Sequence, residues 1–147
     1  MKRLKDIKIA IVSSVFRKEV STNLEKNCLK TLKAKGLKDS QIEVFQVPGS
    51  WEIPLIVKKL AKKGGFDAII TFGGVVKGKT YHFEQIANEV ARSLMDISLE
   101  YEIPVIFEVL AVYNLKDAIE RATRKEENKG VEAAQTALEM IKIMKEI

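Results

Sequence analysis

Apolar positions along the chain fall into two kinds of pattern. Four short runs, at residues 7–12, 42–47, 68–72 and 104–112, are rich in Ile and Val. The last two are almost continuously apolar, as strands buried on both faces of a parallel sheet are. Between the runs, apolar residues recur at helical spacing. Leu24, Cys28, Leu32 and Leu37 share a face, with Gly36 as a stop and Thr22 with Glu25 as a capping box at the start. Residues 51–63 form a second predicted helix, stopped by Gly64-Gly65. A third spans residues 81–101, carrying Ile86, Val90, Leu94 and Ile97; a short one spans 116–122; the last spans 131–147, with Ala134, Leu138, Ile141 and Met144 on one side. Strands alternating with helices predict βαβ units, hence an α/β three-layer αβα sandwich around a four-stranded parallel sheet. At 147 residues the whole chain is expected to be one domain.

Composition narrows the function classes. There are 25 Lys and Arg against 20 Asp and Glu, a net charge of +5, a balance that suits anionic small molecules. The lysines come as scattered pairs such as Lys58-Lys59 and Lys62-Lys63 and read as solvated helix faces. No basic stripe interleaves with aromatics, so no nucleic-acid partner is expected. No apolar run approaches the roughly 18 residues that span a bilayer, and the first residues lack the apolar stretch of a secretory signal. With one cysteine, Cys28, no internal disulfide is possible, and the expected location is cytoplasmic. Cys28 falls on an apolar face and reads as core, not as a nucleophile. One His and one Cys cannot make a typical zinc site, so no metal is expected.

In such folds ligands sit beyond the C-terminal ends of the strands. That rule points at residues 13–17, 47–52, 73–82 and 107–114. Gly73-Gly74-Val75-Val76-Lys77-Gly78-Lys79-Thr80 satisfies the P-loop pattern GxxxxGK[ST], after a strand and before a helix. Against a P-loop, it follows the third strand, no convincing aspartate-ended strand lies downstream, and the chain is short for a nucleoside triphosphatase. The chemistry survives either way: glycines for close backbone approach, a helix start near Thr80, and Lys77 and Lys79 together suit a phosphate. His82, the only histidine, follows in the first helical turn, and imidazole can pass protons near neutrality. Val47-Pro48-Gly49-Ser50-Trp51-Glu52-Ile53-Pro54 places the only tryptophan at a strand–helix junction. Core packing for Trp51 and helix capping for Glu52 are the plain readings. The functional one is an aromatic platform for a planar ring, with Phe16 on its other side. Arg121 and Lys129 each read alone as surface charges, and Asn128-Lys129-Gly130 as a turn and cap.

Together these segments resemble the lumazine synthase family. The resemblance covers nearly the whole chain. It rests on V-P-G-S-W-E-I-P at residues 47–54, G-x-V-x-x-G-x-T-x-H-F within 73–83, E-R-A at 120–122 and N-K-G-x-E-A-A at 128–134. It implies a flavodoxin-like fold and a cofactor-free condensation of 5-amino-6-(D-ribitylamino)uracil with 3,4-dihydroxy-2-butanone 4-phosphate. Carried over by motif, Phe16, Ser50, Trp51 and Glu52 hold the pyrimidine and ribityl chain. Gly74, Val75 and Val76 contact the pyrimidine through backbone, and Phe107, from a neighbouring subunit, closes the aromatic slot. Lys79, Thr80 and Arg121 take the phosphate, His82 transfers protons, and Lys129 is a further candidate. Departures stand at Arg17, where the family often has Asn, at Lys77 for Arg, and at Glu108 in the fourth strand, which is expected to face away from Phe107. Two other functions compete: a P-loop-like nucleotide binder, and a non-catalytic shell or ligand-binding paralogue.

The resemblance also implies a homopentamer as the minimum unit, with riboflavin synthase as a candidate partner. Two features point opposite ways on an icosahedral shell. Residues 1–6 are short for a strand added to a neighbour, whereas residues 123–127 lack the insertion of relatives that stop at pentamers.

Overall fold

The computed structural model describes residues 3–147. Its four strands are β1 (Ile9–Ser14), β2 (Ile42–Val47), β3 (Ala68–Val76) and β4 (Val105–Val112). They form one all-parallel sheet in the order β2-β1-β3-β4. The helices are α1 (Lys18–Ala34), α2 (Ile53–Lys63), α3 (His82–Tyr101), α4 (Leu115–Thr123) and α5 (Lys129–Glu146). The expected α/β three-layer sandwich is therefore present. One apolar layer joins Ile9, Ile11, Ile70 and Phe72 to α1, α4 and α5; the other joins Ala10, Val12 and Ile69 to α2 and α3. Every residue of β1 is buried, as a strand covered on both faces requires. Each fully buried Ile, Val or Phe contributes about 1.5–3 kcal/mol, and the central strands β1 and β3 supply residues to both layers of the core.

Several boundaries differ from the sequence expectation. α1 starts at Lys18, so Thr22 and Glu25 lie inside the helix and form no capping box. Arg17, in the left-handed region at φ 61°, precedes it without any side-chain cap. β3 runs on to Val76, in register with β4 through Val76 opposite Val112. The first four residues of the P-loop pattern are thus strand and cannot wrap a phosphate, which excludes a P-loop fold there. Residues 50–52 form a 3-10 turn before α2, and α5 begins at Lys129, two residues earlier than expected. Of the short N-terminal segment, Met1 and Lys2 lie outside the described residues. Leu4–Asp6 make a single 3-10 turn, tied to the same chain by Gln41, whose side-chain amide donates to Leu4 O at 2.8 Å and Ile7 O at 3.0 Å. Among the described residues, no helix is long and apolar enough to cross a membrane.

The start of α5 is fixed by two neighbouring residues. Asn128 accepts from the Gly130 and Val131 N–H groups and donates to the carbonyls of Ala122 and Arg124, joining α4 to α5. Gly130 lets α5 lie directly on α1: a Cβ there would collide with the Leu24 carbonyl. Gly130→Ala gains up to about 1 kcal/mol of helix propensity. It loses about 1–3 kcal/mol to overpacking, because the atom it meets is backbone and cannot swing aside. The expected net effect is a loss of about 1–2 kcal/mol, read as a lower urea midpoint. An unchanged or higher midpoint would contradict this packing.

Candidate active site

The chain leaves β1 outward to β2 and returns inward to β3, so β1 and β3 flank the point where strand order reverses. Ligands bind at such points. A cleft of about 810 Å³ opens there. Its walls come from four segments: Phe16 and Arg17 after β1, residues 48–52 after β2, residues 74–76 at the end of β3, and the loop and first turn leading into α3.

The local structure follows from pairing and from Gly73. Val15 N–H donates to Val47 O at 2.8 Å and Phe16 N–H to Pro48 O at 3.0 Å. These bonds carry the β1–β2 pairing into the loops and hold both cleft walls together. β3 pairs with β1 only as far as Phe72 opposite Ser13, yet stays paired with β4 to Val76. Residues 73–76 therefore keep one ladder partner, and their other backbone edge turns toward the cleft. A Cβ at Gly73 would lie 2.7 Å from Ser50 Oγ and 3.0 Å from Ser14 Oγ; only glycine lets these hydroxyls approach. Gly74 sits beside Arg17, where a Cβ would make ordinary contact, 3.5 Å from Arg17 Cβ.

Of the thirteen residues singled out in the sequence, nine line this cleft: Phe16, Ser50, Trp51, Glu52, Gly74, Val75, Val76, Thr80 and His82. Ser50 is buried and Glu52 half-buried, whereas His82 and Thr80 are exposed. Phe16 and Trp51 remain 63% and 55% exposed, so the aromatic rim is open. The other four are not in it. Lys79 stands on the exposed loop. Phe107 lies on the edge strand β4, and Arg121 and Lys129 lie on α4 and α5, on the opposite side of the sheet from α2 and α3. Arg121 donates to Asp117 O at 3.0 Å, and Lys129 Nζ is 3.5 Å from Glu132.

A model of the 6,7-dimethyl-8-ribityllumazine synthase family matches residues 6–145. The chain belongs to that family. Lumazine synthases are transferases of riboflavin biosynthesis, and the resemblance carried by residues 47–54, 73–83, 120–122 and 128–134 agrees with this match.

The cleft also includes residues passed over in the sequence: Pro48, Gly49, Gly78, Phe83, Gln85 and Ile86, with Arg17 noted only as a departure from the family pattern. Gln85 and Ile86 stand three and four residues after His82, the spacing that puts them on its helix face, so periodicity from His82 would have found them. Lys77 is turned elsewhere: its Nζ pairs with Glu84 at 3.2 Å and lies 5.7 Å from the Tyr113 ring centre. Glu84 bonds its own backbone N–H and Lys77, which hold its carboxyl below the usual range. The α3 N-terminus thus already carries a carboxylate, and it is a weaker anion site than the sequence suggested. Cys28 is buried as expected, its thiol pushed up to about 12 by burial and by the Glu25 carboxylate. Among the described residues, no three His, Cys, Asp or Glu side chains converge as metal ligands.

Glu108 does face away from Phe107. It points toward α5, beside Lys129 and Glu132, and one of its oxygens is buried without a hydrogen-bond partner. Burial raises its carboxyl from 4.5 to about 7; Lys129 opposes that rise and Glu132 adds to it. A carboxyl that holds its proton more tightly folded than unfolded stabilises the fold at low pH. That stabilisation is lost as pH climbs from about 4.5 through about 7. Glu108→Gln removes the titration. Screened by water at this half-buried position, the gain over wild type should be on the order of 1 kcal/mol above pH 8 and near zero at pH 5. Urea midpoints across that range check it; a difference independent of pH would contradict it.

Proposed function

We propose that the chain condenses 5-amino-6-(D-ribitylamino)uracil with 3,4-dihydroxy-2-butanone 4-phosphate, giving 6,7-dimethyl-8-ribityllumazine, phosphate and water. The observation that carries this reading is the one-sided pairing of β3 at residues 73–76, whose residues 74–76 line the same cleft as Phe16, Trp51 and His82. An unpaired backbone edge offers alternate N–H and C=O groups. The edge of a pyrimidinedione carries matching acceptors and donors, and its faces suit the two aromatic side chains. Ser50 and Glu52 supply polar groups for the ribityl hydroxyls.

The chemistry asks little more than orientation and proton transfer. The pyrimidine amine attacks the ketone carbon, and water leaves as the imine forms. Loss of a proton from the carbon skeleton expels phosphate with the C–O bonding pair. Protonation at the terminal carbon turns the resulting enol into a ketone, and the second amine attacks that carbonyl and closes the ring, again with loss of water. Holding two reactants together can supply about 7–11 kcal/mol of such a barrier. His82 at the cleft mouth can take the proton from the carbon next to the imine and deliver one to the terminal carbon that has lost phosphate. Lys79 and Thr80 receive the phosphate from one side.

The site is completed by a second copy of the chain. Phe107, Arg121 and Lys129 stand away from the cleft of their own chain, and the rim formed by Phe16 and Trp51 is open to receive a ring. A neighbouring copy brings its Phe107 over the pyrimidine and its Arg121 and Lys129 to the phosphate; the guanidinium fork suits that anion. A pentameric ring is the assembly this reading uses. Nothing in the fold favours either nucleotide binding or a purely structural role over it.

The experiment mixes both substrates with the protein and follows the lumazine product by its absorbance and fluorescence. Wild-type protein is expected to turn over without added cofactor. His82→Gln is expected to lower kcat by about 10- to 100-fold, the low end for losing one acid/base group or below it, with both KM values nearly unchanged. No product from folded wild-type protein would refute the reading, and an unaltered kcat in the variant would remove His82 from the chemistry.

A further inference from the structure

Arg17 is a half-buried charged residue of the cleft with one guanidinium nitrogen left without an acceptor. Its Nε is buried and donates to nothing. Its guanidinium carbon lies 5.2 Å from the centre of the Phe16 ring. The backbone holds it there: φ 61° and ψ 52° place it in the left-handed region, uncommon for a residue with a Cβ. Its carbonyl is fixed by the N–H groups of Val20 at 2.9 Å and Ser21 at 3.2 Å, the first bonds of α1. Its Cβ abuts Gly74. The conformation is strained, and it sets the side chain at the cleft wall, beside the Phe16 ring and Gly74 of β3. Glu52 is the only carboxylate lining the cleft, and no ion pair joins it to Arg17 among the described residues. Lys77, the nearest cation in sequence to the other wall, is paired with Glu84.

A buried guanidinium N–H without an acceptor is costly unless a ligand supplies one. We infer that Arg17 is a specificity-determining residue, donating to a carbonyl oxygen of the pyrimidinedione ring while the ring lies along Phe16 and the edge of β3. This rests on the reading proposed above and adds the contact that fixes the ring's orientation. The acceptor belongs to the heterocycle because Arg17 stands beside Phe16 and Gly74, where that ring sits. The residues assigned to phosphate lie in the loop after β3 or come from a second chain. A planar fork can meet a carbonyl in the ring plane with two parallel donors, which an ammonium cannot do.

Trp51, the only tryptophan, lines the same cleft and reports occupancy. The test titrates 5-amino-6-(D-ribitylamino)uracil by Trp51 fluorescence under anaerobic conditions and measures KM for each substrate. It compares wild type, Arg17→Gly and Arg17→Lys. Glycine accepts the left-handed backbone, so the first variant keeps the fold, which circular dichroism checks. The expected result is a Kd for the pyrimidine weaker by about 10- to 100-fold in Arg17→Gly, an unchanged KM for the phosphorylated ketone, and no recovery in Arg17→Lys. An unchanged pyrimidine Kd in Arg17→Gly overturns the inference and leaves the proposed function standing. A loss confined to the ketone KM overturns it in favour of a phosphate contact. Full affinity in Arg17→Lys overturns the fork. Wild-type protein that neither binds the pyrimidine nor forms product overturns both readings together.

Discussion

The unequal length of the strands beside β3 governs the ligand end of the molecule. β1 stops pairing with β3 at Phe72, while β4 continues to Val76. The last residues of β3 are therefore held rigidly from one side and exposed along the other. A single free strand edge is ordinarily a liability; here it is short, recessed, and walled by Phe16, Arg17 and the turn after β2. Gly73 makes the recess, since a side chain there would meet Ser50 and Ser14. The buried core of β1 and β3 is what keeps this edge from moving. Preorganised backbone groups of that kind bind a ring without paying to order themselves.

The same geometry explains why one chain does not complete the proposed site. The strands end where α2 and α3 cover one face, so the cleft opens on that side. β4 closes the sheet as an edge strand, carrying Phe107 on one face and Glu108 on the other. α4 and α5, which hold Arg121 and Lys129, pack on the far layer. In the proposed ring, one chain's outer edge meets its neighbour's cleft. Glu108 then acquires a role by position: it sits beside Lys129, so its charge lies next to a cation assigned to phosphate.

Much of this was legible in the sequence. The Ile- and Val-rich runs gave all four strands, and the strand–helix alternation gave the layers. Nine of the thirteen residues singled out line the cleft because the rule that ligands bind at strand ends depends only on topology. What was not legible depended on conformation or on competing partners. Helical periodicity could not show that Arg17 turns left-handed and starts α1 without a cap, so Thr22 was a misleading cap signal. The P-loop wording of residues 73–80 concealed a strand, because Gly73 and Gly74 lie in β3, where Gly73 serves close packing and not a phosphate cradle. Lys77 looked like a phosphate ligand until Glu84 and Tyr113 claimed it. Four candidates on α4, α5, β4 and the loop could not be placed in one cleft by any single-chain argument.

The shared site is tested most directly by mixing two damaged chains. His82→Gln spoils the cleft, and Arg121→Ala spoils what a neighbour contributes. The two are dissociated, combined in equal amounts, reassembled and assayed with the ketone below its KM. In a randomly mixed ring, about a quarter of neighbour pairs join an intact cleft to an intact Arg121. The account predicts activity well above the mean of the two parents assayed alone, approaching about a quarter of wild type. Activity no greater than that mean, in a mixture shown to have reassembled, would contradict a site built from two chains.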